Sequence, residues 1–140
     1  MIEKFALTAA QYWSLAVSIA TLAALIASGK IPERVVAYTL SILMVSSPYL
    51  ALTSPSIHAA ASGIALVVLL VLALRYDRWW LIGAAGLQLV IFSTHFVTLV
   101  IPQERIWGAV SLRILLWQAL MALCIFAIGE CRWASYAKNS

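Results

Sequence analysis

The sequence predicts an all-α integral membrane protein, a bundle of five transmembrane helices in up-down order, and three observations lead to this prediction. The 140-residue chain is 64% apolar and 10% charged, with a mean hydropathy of +1.00, whereas soluble domains are about 45–50% apolar and about 25% charged. Its apolar residues fall into five runs separated by short polar joints. Each run has about 20 residues, enough for a helix rising about 1.5 Å per residue to cross a hydrocarbon core of about 30 Å.

The predicted spans form a single transmembrane domain over residues 1–140. Their approximate bounds are 5–28, 33–52, 56–74, 79–100 and 106–128. Lipid offers the backbone no hydrogen-bond partners, so each span must close its own hydrogen bonds as a helix. Joints of a few residues then place consecutive helices antiparallel and side by side. The first run exceeds the apolar part of a signal peptide, which is about 7–15 residues, and is interpreted as a retained span.

Proline and glutamate mark where two of these helices begin. The second span opens on "IPERV" at 31–35 and the fifth on "IPQERI" at 101–106. Proline is tolerated in a first turn because its missing N–H has no helical partner there, and glutamate meets the positive end of the helix dipole. Between the second and third spans, "SSPYLALTSPS" at 46–56 contains two prolines and predicts a kinked helix end followed by a turn.

Basic residues indicate which side of the membrane each joint faces. One side carries Lys30, Arg34, Arg75, Arg78, Arg132 and Lys138, and the other carries Lys4 and Arg105. Because basic joints stay in the cytoplasm, the first side is predicted to be cytoplasmic, with the N-terminus outside and the C-terminus inside. The basic residues are spread over the joints and form no single face, so a nucleic-acid partner is not predicted.

The joint between the third and fourth spans, "RYDRWW", is predicted to anchor the chain at the cytoplasmic surface. Arg75 and Arg78 would hold the turn inside, and Trp79 and Trp80 would lie at the level of the lipid headgroups. Asp77 is positioned to cap the fourth helix at its N-terminus. These five side chains are therefore interpreted as interface anchors.

Small and hydroxyl-bearing residues predict where helices approach one another closely. In the first span a polar face recurs at steps of three and four residues: Gln11, Ser14, Ser18 and Thr21. Such a face is typical of a packing surface between membrane helices, and Gly63, Gly83 and Gly86 suggest further close approaches.

Several polar side chains lie within spans, where they are costly and need a reason. His95, near the end of the fourth span, and Arg113, near the start of the fifth, both lie close to the outer surface. Gln88 precedes His95 by two helical turns and so shares its face. With His58 at the start of the third span, these residues predict an outward-opening polar cleft. Alternatively, Arg113 snorkels to the headgroups and His95 hydrogen-bonds a neighbouring carbonyl or hydroxyl group. Pairing of Arg113 with Glu104 is a further option.

No catalytic or metal-binding motif is present in the sequence, so neither an enzyme nor a metal site is predicted. G-x-S-x-G, H-E-x-x-H and P-loop patterns are absent. Cys124 and Cys131 are too few for a disulfide framework and match no metal motif. No cofactor is predicted; a haem is the alternative, because His58 and His95 on antiparallel neighbours are candidates for two axial ligands. Without C-x-x-C-H, such a haem would not be covalently attached.

Three phrases of the sequence resemble one group of proteins. They are "SGKIPERVVAY" at 28–38, "LRYDRWW" at 74–80 and "LQLVIFSTH" at 87–95. Together they resemble small, uncharacterised polytopic inner-membrane proteins of alphaproteobacteria, sphingomonads in particular, which show similar joints and a similar late histidine. The resemblance implies a location in the bacterial inner (plasma) membrane and carries no assigned activity.

Small size, minimal joints and the absence of a catalytic set favour a non-catalytic role. The first prediction is an accessory or scaffold subunit of a larger inner-membrane complex, with the lipid bilayer and other membrane subunits, or further copies of the chain, as partners. The alternative is a small transporter or channel that uses the polar cleft. The lesser alternative is a haem- or quinone-binding membrane protein.

Overall fold

The computed structural model describes residues 9–100 and 106–133, and these residues form five helices. In chain order they are α1 (Ala9–Ser28), α2 (Ile31–Thr53), α3 (Pro55–Arg75), α4 (Trp79–Val100) and α5 (Ile106–Trp133). The prediction of an all-α chain with five helices is confirmed. The largest difference in bounds is at the end of α5. This helix was predicted to end near residue 128 and continues to Trp133, so that it includes the polar residues after the apolar run.

Three stretches of these helices are long and apolar enough to be membrane spans. They are Pro55–Arg75, Trp79–Val97 and Val110–Trp133, and α1 contains a shorter apolar stretch, Gln11–Ala27. In α2 the first turn carries Glu33, and the second half contains serines and Pro48. By the length and composition of its helices, the chain is a helical membrane protein.

The five helices close into a ring. Each packs against its neighbours in the chain, and α5 also packs against α1. Very short joints produce this arrangement: Ser54 alone separates α2 from α3, and three residues, 76–78, separate α3 from α4. Joints of this length force consecutive helices to run antiparallel. Because the number of helices is odd, α1 and α5 run parallel where the ring closes.

One half of the ring is filled by a continuous apolar core. All five helices contribute buried side chains to it, among them Leu25, Leu40, Leu69, Leu81, Met121 and Cys124. This half contains the ends of α1, α3 and α5 and the starts of α2 and α4, and we call it the sealed end. The opposite half, which we call the cavity end, contains the start of α3 and the ends of α2 and α4.

Gly29 allows α2 to turn directly back on α1 at the sealed end. Its N–H donates to the Leu25 carbonyl at 2.9 Å, and Arg34 Nε donates to the Gly29 carbonyl at 3.1 Å. A Cβ added at Gly29 would overlap Glu33 Cβ and the Leu25 carbonyl oxygen. A side chain at this position would therefore displace the start of α2.

Candidate polar cavity between the five helices

A cavity of about 380 Å³ lies inside the ring at the cavity end. Every helix contributes at least one polar side chain to its wall: Ser14, Ser47, His58, Ser62, His95 and Arg113. The rest of the wall is mainly aliphatic, with Met44 and Ile91 among its members. Ligand sites in proteins combine an apolar wall with a few polar groups in volumes of about 300–1,000 Å³. The cavity therefore has the size and lining of a small-molecule site.

The two histidines of the sequence lie against each other in this wall. The ring centroids of His58 and His95 are 4.7 Å apart and the rings are inclined at 69°, an edge-to-face contact. Ser47 Oγ and His58 Nε2 are hydrogen-bonded at 3.1 Å across α2 and α3. His95 is 5% exposed. The imidazoles therefore form a pair held between three consecutive helices.

Arg113 is held on the wall by the last turns of α4. Its Nε donates to Thr94 Oγ1 at 2.9 Å and its Nη2 donates to the Thr94 carbonyl at 3.3 Å. Thr94 Oγ1 in turn donates to the Ile91 carbonyl at 2.6 Å, which orients its lone pairs toward the guanidinium. A guanidinium has five N–H donors, so these bonds leave donors for another group. Within 9–100 and 106–133, no carboxylate forms an ion pair with Arg113.

Gln88 supports the cavity wall from below and does not line the cavity itself. It is 0% exposed, and its Nε2 donates to the Ser62 carbonyl at 3.2 Å and to Ser62 Oγ at 3.1 Å. Ser62 lines the cavity. Of the four residues predicted to form a cleft, the structure therefore brings His58, His95 and Arg113 onto one cavity and places Gln88 beneath it.

The polar face of the first span closes the ring against α5. Trp117 Nε1 donates to Ser18 Oγ at 3.0 Å, and Gln118 Nε2 donates to Ser14 Oγ. Ser18 Oγ also donates to the Ser14 carbonyl at 2.8 Å. Trp117 and Ser14 were not among the predicted cleft residues. The available signal was that Trp117 follows Arg113 by one helical turn and so shares its face.

Only part of the predicted surface anchor lies at the surface. Arg75 and Asp77 are exposed and Trp79 is 51% exposed, but Trp80 is 0% exposed and Arg78 is 2% exposed. Because α4 begins at Trp79, the residue directly before it is Arg78 and not the predicted cap, Asp77. The sequence shows a basic aromatic turn, but not which of its side chains face inward.

Arg78 lies inside the bundle, where it contacts side chains of two other helices. Its Nη1 lies 3.1 Å from Glu33 Oε1 at the start of α2, in a pair whose side chains are 1% and 0% exposed. Nη1 also lies 3.4 Å from Cys131 Sγ in the last turns of α5. Glu33 was expected to meet the positive end of the helix dipole; here it also forms an ion pair with a buried arginine.

Close helix approaches involve two of the three predicted glycines. A Cβ at Gly63 would lie 3.1 Å from Phe92, and a Cβ at Gly83 would lie 3.1 Å from Leu123. At Gly86 there is open space, so this glycine does not permit a contact between the described helices.

The geometry of the two imidazoles does not suit a haem between them. Axial ligands must stand apart on opposite faces of the porphyrin, whereas His58 and His95 are in direct ring contact. Among the described residues, no group of three or more His, Cys, Asp and Glu side chains is placed to hold a metal ion. Chemically, the cavity combines one fixed cation, two imidazoles and several hydroxyl groups.

Some sequence predictions fall outside the described residues. They concern Lys4, Lys138, and the phrase "IPQERI" up to Arg105. Comparison of the chain with protein-family models, with curated proteins and with solved structures gives no match.

Proposed function

We propose that the protein is a multi-pass transport protein of the bacterial inner membrane that binds a small organic anion in the polar cavity. The observation that supports this proposal is the position of Arg113, a permanent cation on the wall of an intramembrane cavity with no acidic partner among the described residues. Buried charges in membrane proteins are paired or face functional cavities. A bound anion would supply the missing counter-charge.

In this proposal all five helices span the membrane. The shortest, α1, has 20 residues and would reach about 30 Å at about 1.5 Å per residue, the thickness of the hydrocarbon core. The described basic residues at the sealed end are Lys30, Arg34, Arg75, Arg78 and Arg132. By the positive-inside rule, this end would face the cytoplasm, with the N-terminus outside. The cavity would then open to the outer side of the membrane.

The cavity wall indicates an anion with an apolar body. The donors of Arg113 and the hydroxyl groups of Ser47 and Ser62 are suited to a carboxylate, a sulfonate or a phosphate. Met44 and Ile91 form an apolar surface on the same cavity. Such a wall favours a small organic acid over a fully hydrated inorganic ion.

With the sealed end in the cytoplasm, the described arrangement would be an outward-facing one. Below the cavity, side chains such as Leu40, Leu69 and Met121 are 0–1% exposed and leave no path toward the cytoplasm. A solute would enter from outside, and its release inside would require the packed half to rearrange. The accessory-subunit hypothesis stays a prediction, because the exposed apolar side chains are equally suited to lipid and to a partner helix.

The first test measures whether an organic anion stabilises the purified protein in detergent. Benzenesulfonate is the probe, because it carries a charge that does not titrate near neutral pH on a small apolar ring. At about 100 times its Kd we expect stabilisation by about 2.7 kcal/mol, measured as a rise in melting temperature. The neutral benzenesulfonamide should have little effect, since it supplies no counter-charge to Arg113.

Matched variants separate the cavity arginine from charge in general. Arg113→Gln should abolish the stabilisation. Arg132→Gln, the same change on an exposed residue at the other end of α5, should retain it. Glu104→Gln, which removes the acidic residue nearest to Arg113 in the sequence, should also retain it. An equal rise in melting temperature for wild-type and Arg113→Gln proteins would contradict the proposal.

A phospholipid headgroup offers the same anionic chemistry as a free solute, and the lipid composition distinguishes the two. The probe is titrated into protein held in nanodiscs of phosphatidylcholine with and without phosphatidylglycerol. Binding that is unchanged by phosphatidylglycerol identifies a free solute, whereas competition identifies a headgroup. Uptake of radiolabelled benzenesulfonate into proteoliposomes then tests transport itself.

A further inference from the structure

We propose that the cavity takes up one proton together with each anion, and that the His58–His95 pair accepts this proton. The inference rests on the proposed function, because it assumes that an anion binds beside Arg113. It extends that function by naming a proton as the ion whose transport is coupled to that of the anion. Solute and proton would then cross the membrane as a neutral pair.

The titratable groups around the imidazole pair come from three helices. They are His58 on α3, His95 on α4 and Arg113 on α5. The other two helices face the cavity with groups that do not titrate in this range, Ser14 from α1 and Ser47 from α2. Among the described cavity residues, Arg113 is therefore the charged group that acts on the buried pair, together with whatever anion is bound.

In the empty cavity, burial and the nearby charge of Arg113 both disfavour a second cation. Arg113 is permanently charged, and a second cation on the same small cavity is disfavoured. The partner ring adds a further limit, because two imidazolium rings with centroids 4.7 Å apart would repel each other. The pair is therefore expected to bind one additional proton at most.

A bound anion changes this balance. Its negative charge offsets the repulsion from Arg113, and it can accept a charge-assisted hydrogen bond from an imidazolium N–H. The proton added to a ring nitrogen comes from the outer solution and no bond of the solute is broken. Because linkage is reciprocal, an anion that favours protonation binds more tightly to the protonated pair by the same factor.

Coupled uptake also has a direct benefit for crossing the membrane. A lone anion, or a lone proton on an imidazole, is a charge in a medium of low dielectric constant. One anion and one proton together add no net charge to the cavity beyond that of Arg113. Transport by this route should be driven by a pH difference across the membrane and should respond little to the membrane potential.

The deciding experiment titrates benzenesulfonate into purified wild-type protein between pH 5.5 and pH 8. Since the probe keeps its charge over this range, any pH dependence belongs to the protein. We expect the affinity to rise as the pH falls, by up to about tenfold per pH unit, the limit for one linked proton. Calorimetric titrations in buffers of different ionisation enthalpy should show net proton uptake on binding.

Variants assign the proton to the imidazole pair. His58→Asn and His95→Asn should each reduce the pH dependence, and the double variant should lose it while keeping binding that requires Arg113, although more weakly than wild type. Melting temperatures without ligand check that each variant folds. If the double variant does not fold, the single variants decide the assignment to the pair, and proton uptake by the wild-type protein still decides whether binding is coupled to a proton.

The possible failures are distinguishable. Binding that requires Arg113 but is independent of pH, with no proton taken up, would overturn this inference and leave the proposed function standing. A complete lack of binding at every pH would overturn both. Proton uptake that persists in the double variant would place the acceptor elsewhere and also overturn the assignment to His58 and His95. Repeating the titration in phosphatidylcholine nanodiscs, with and without phosphatidylglycerol, shows whether proton uptake accompanies the binding of a headgroup or of a free anion.

Discussion

The two ends of the helix ring each hold one arginine inside the bundle, and they differ in how its charge is balanced. At the sealed end, Arg78 meets Glu33 from another helix at 3.1 Å, and both side chains are buried. At the cavity end, Arg113 is held by a threonine on α4 and meets no carboxylate of the described chain. Where the chain supplies the counter-charge the bundle is closed, and where the described residues supply none a cavity is present.

The surroundings of the two arginines follow the same division. Arg78 lies beside Cys131 and is 2% exposed. Arg113 faces a cavity of about 380 Å³ that also contains two imidazoles. Buried ion pairs add little net stability compared with apolar packing, but loss of one partner is costly. Substitutions at the sealed end should therefore mainly lower the stability of the protein. Substitutions at the cavity end should mainly affect the proposed binding of an anion.

The largest expected effect is the loss of Arg78. In Arg78→Met the Glu33 carboxylate stays buried without its partner, which should cost about 3–5 kcal/mol of unfolding free energy. Denaturant unfolding in detergent, followed by circular dichroism, measures it. The exposed Arg75→Met is the matched control and should change stability by at most about 0.5 kcal/mol.

The double variant Glu33→Gln/Arg78→Met sharpens this result. Because the isolated charge is then absent, its loss of stability should be smaller than the sum of the two single losses. Additive losses would show that the ion pair does not account for the sensitivity of the sealed end.

A smaller effect is expected from closing the space at Gly29. Gly29→Ala would press a methyl group against Glu33 and the Leu25 carbonyl, and overpacking of this kind costs about 1–3 kcal/mol. Gly86→Ala is the control, since its Cβ would meet nothing within 4 Å. In thermal unfolding, the melting temperature of Gly29→Ala should be well below that of the wild-type protein, and that of Gly86→Ala should be close to it. The reverse order would refute the tight joint between α1 and α2.

The smallest of these effects concerns Gln88, at the boundary between the two halves. Gln88→Met removes two hydrogen bonds to Ser62 while keeping a side chain of similar length. The expected loss is about 1–2 kcal/mol, because the Ser62 groups lose their partner. Ser93→Ala on the exposed side of α4 provides the control. If Gln88→Met and Ser93→Ala have the same free energy of unfolding, Gln88 does not support the cavity wall.

The candidate site could be predicted in part from sequence. Polar residues are rare inside apolar runs, so His58, His95 and Arg113 could be identified, and helical rise placed them at similar depth. The contact between the two imidazoles and the role of Thr94 in holding Arg113 could not be identified, because they depend on the rotation of three helices relative to one another. Gln88 was expected to line the cleft, and it lies beneath the cavity, hydrogen-bonded to Ser62.

Sequence by itself determined the number, type and approximate ends of the helices. Lipid forces each apolar run of sufficient length to be helical, and charge and proline mark the joints. The tertiary structure alone decided that α5 closes the ring on α1, that Arg78 and Trp80 turn inward, and that a cavity remains at one end. The physical reason is that lipid and protein core are both apolar, so hydrophobicity does not distinguish the face of a membrane helix that meets another helix from the face that meets lipid.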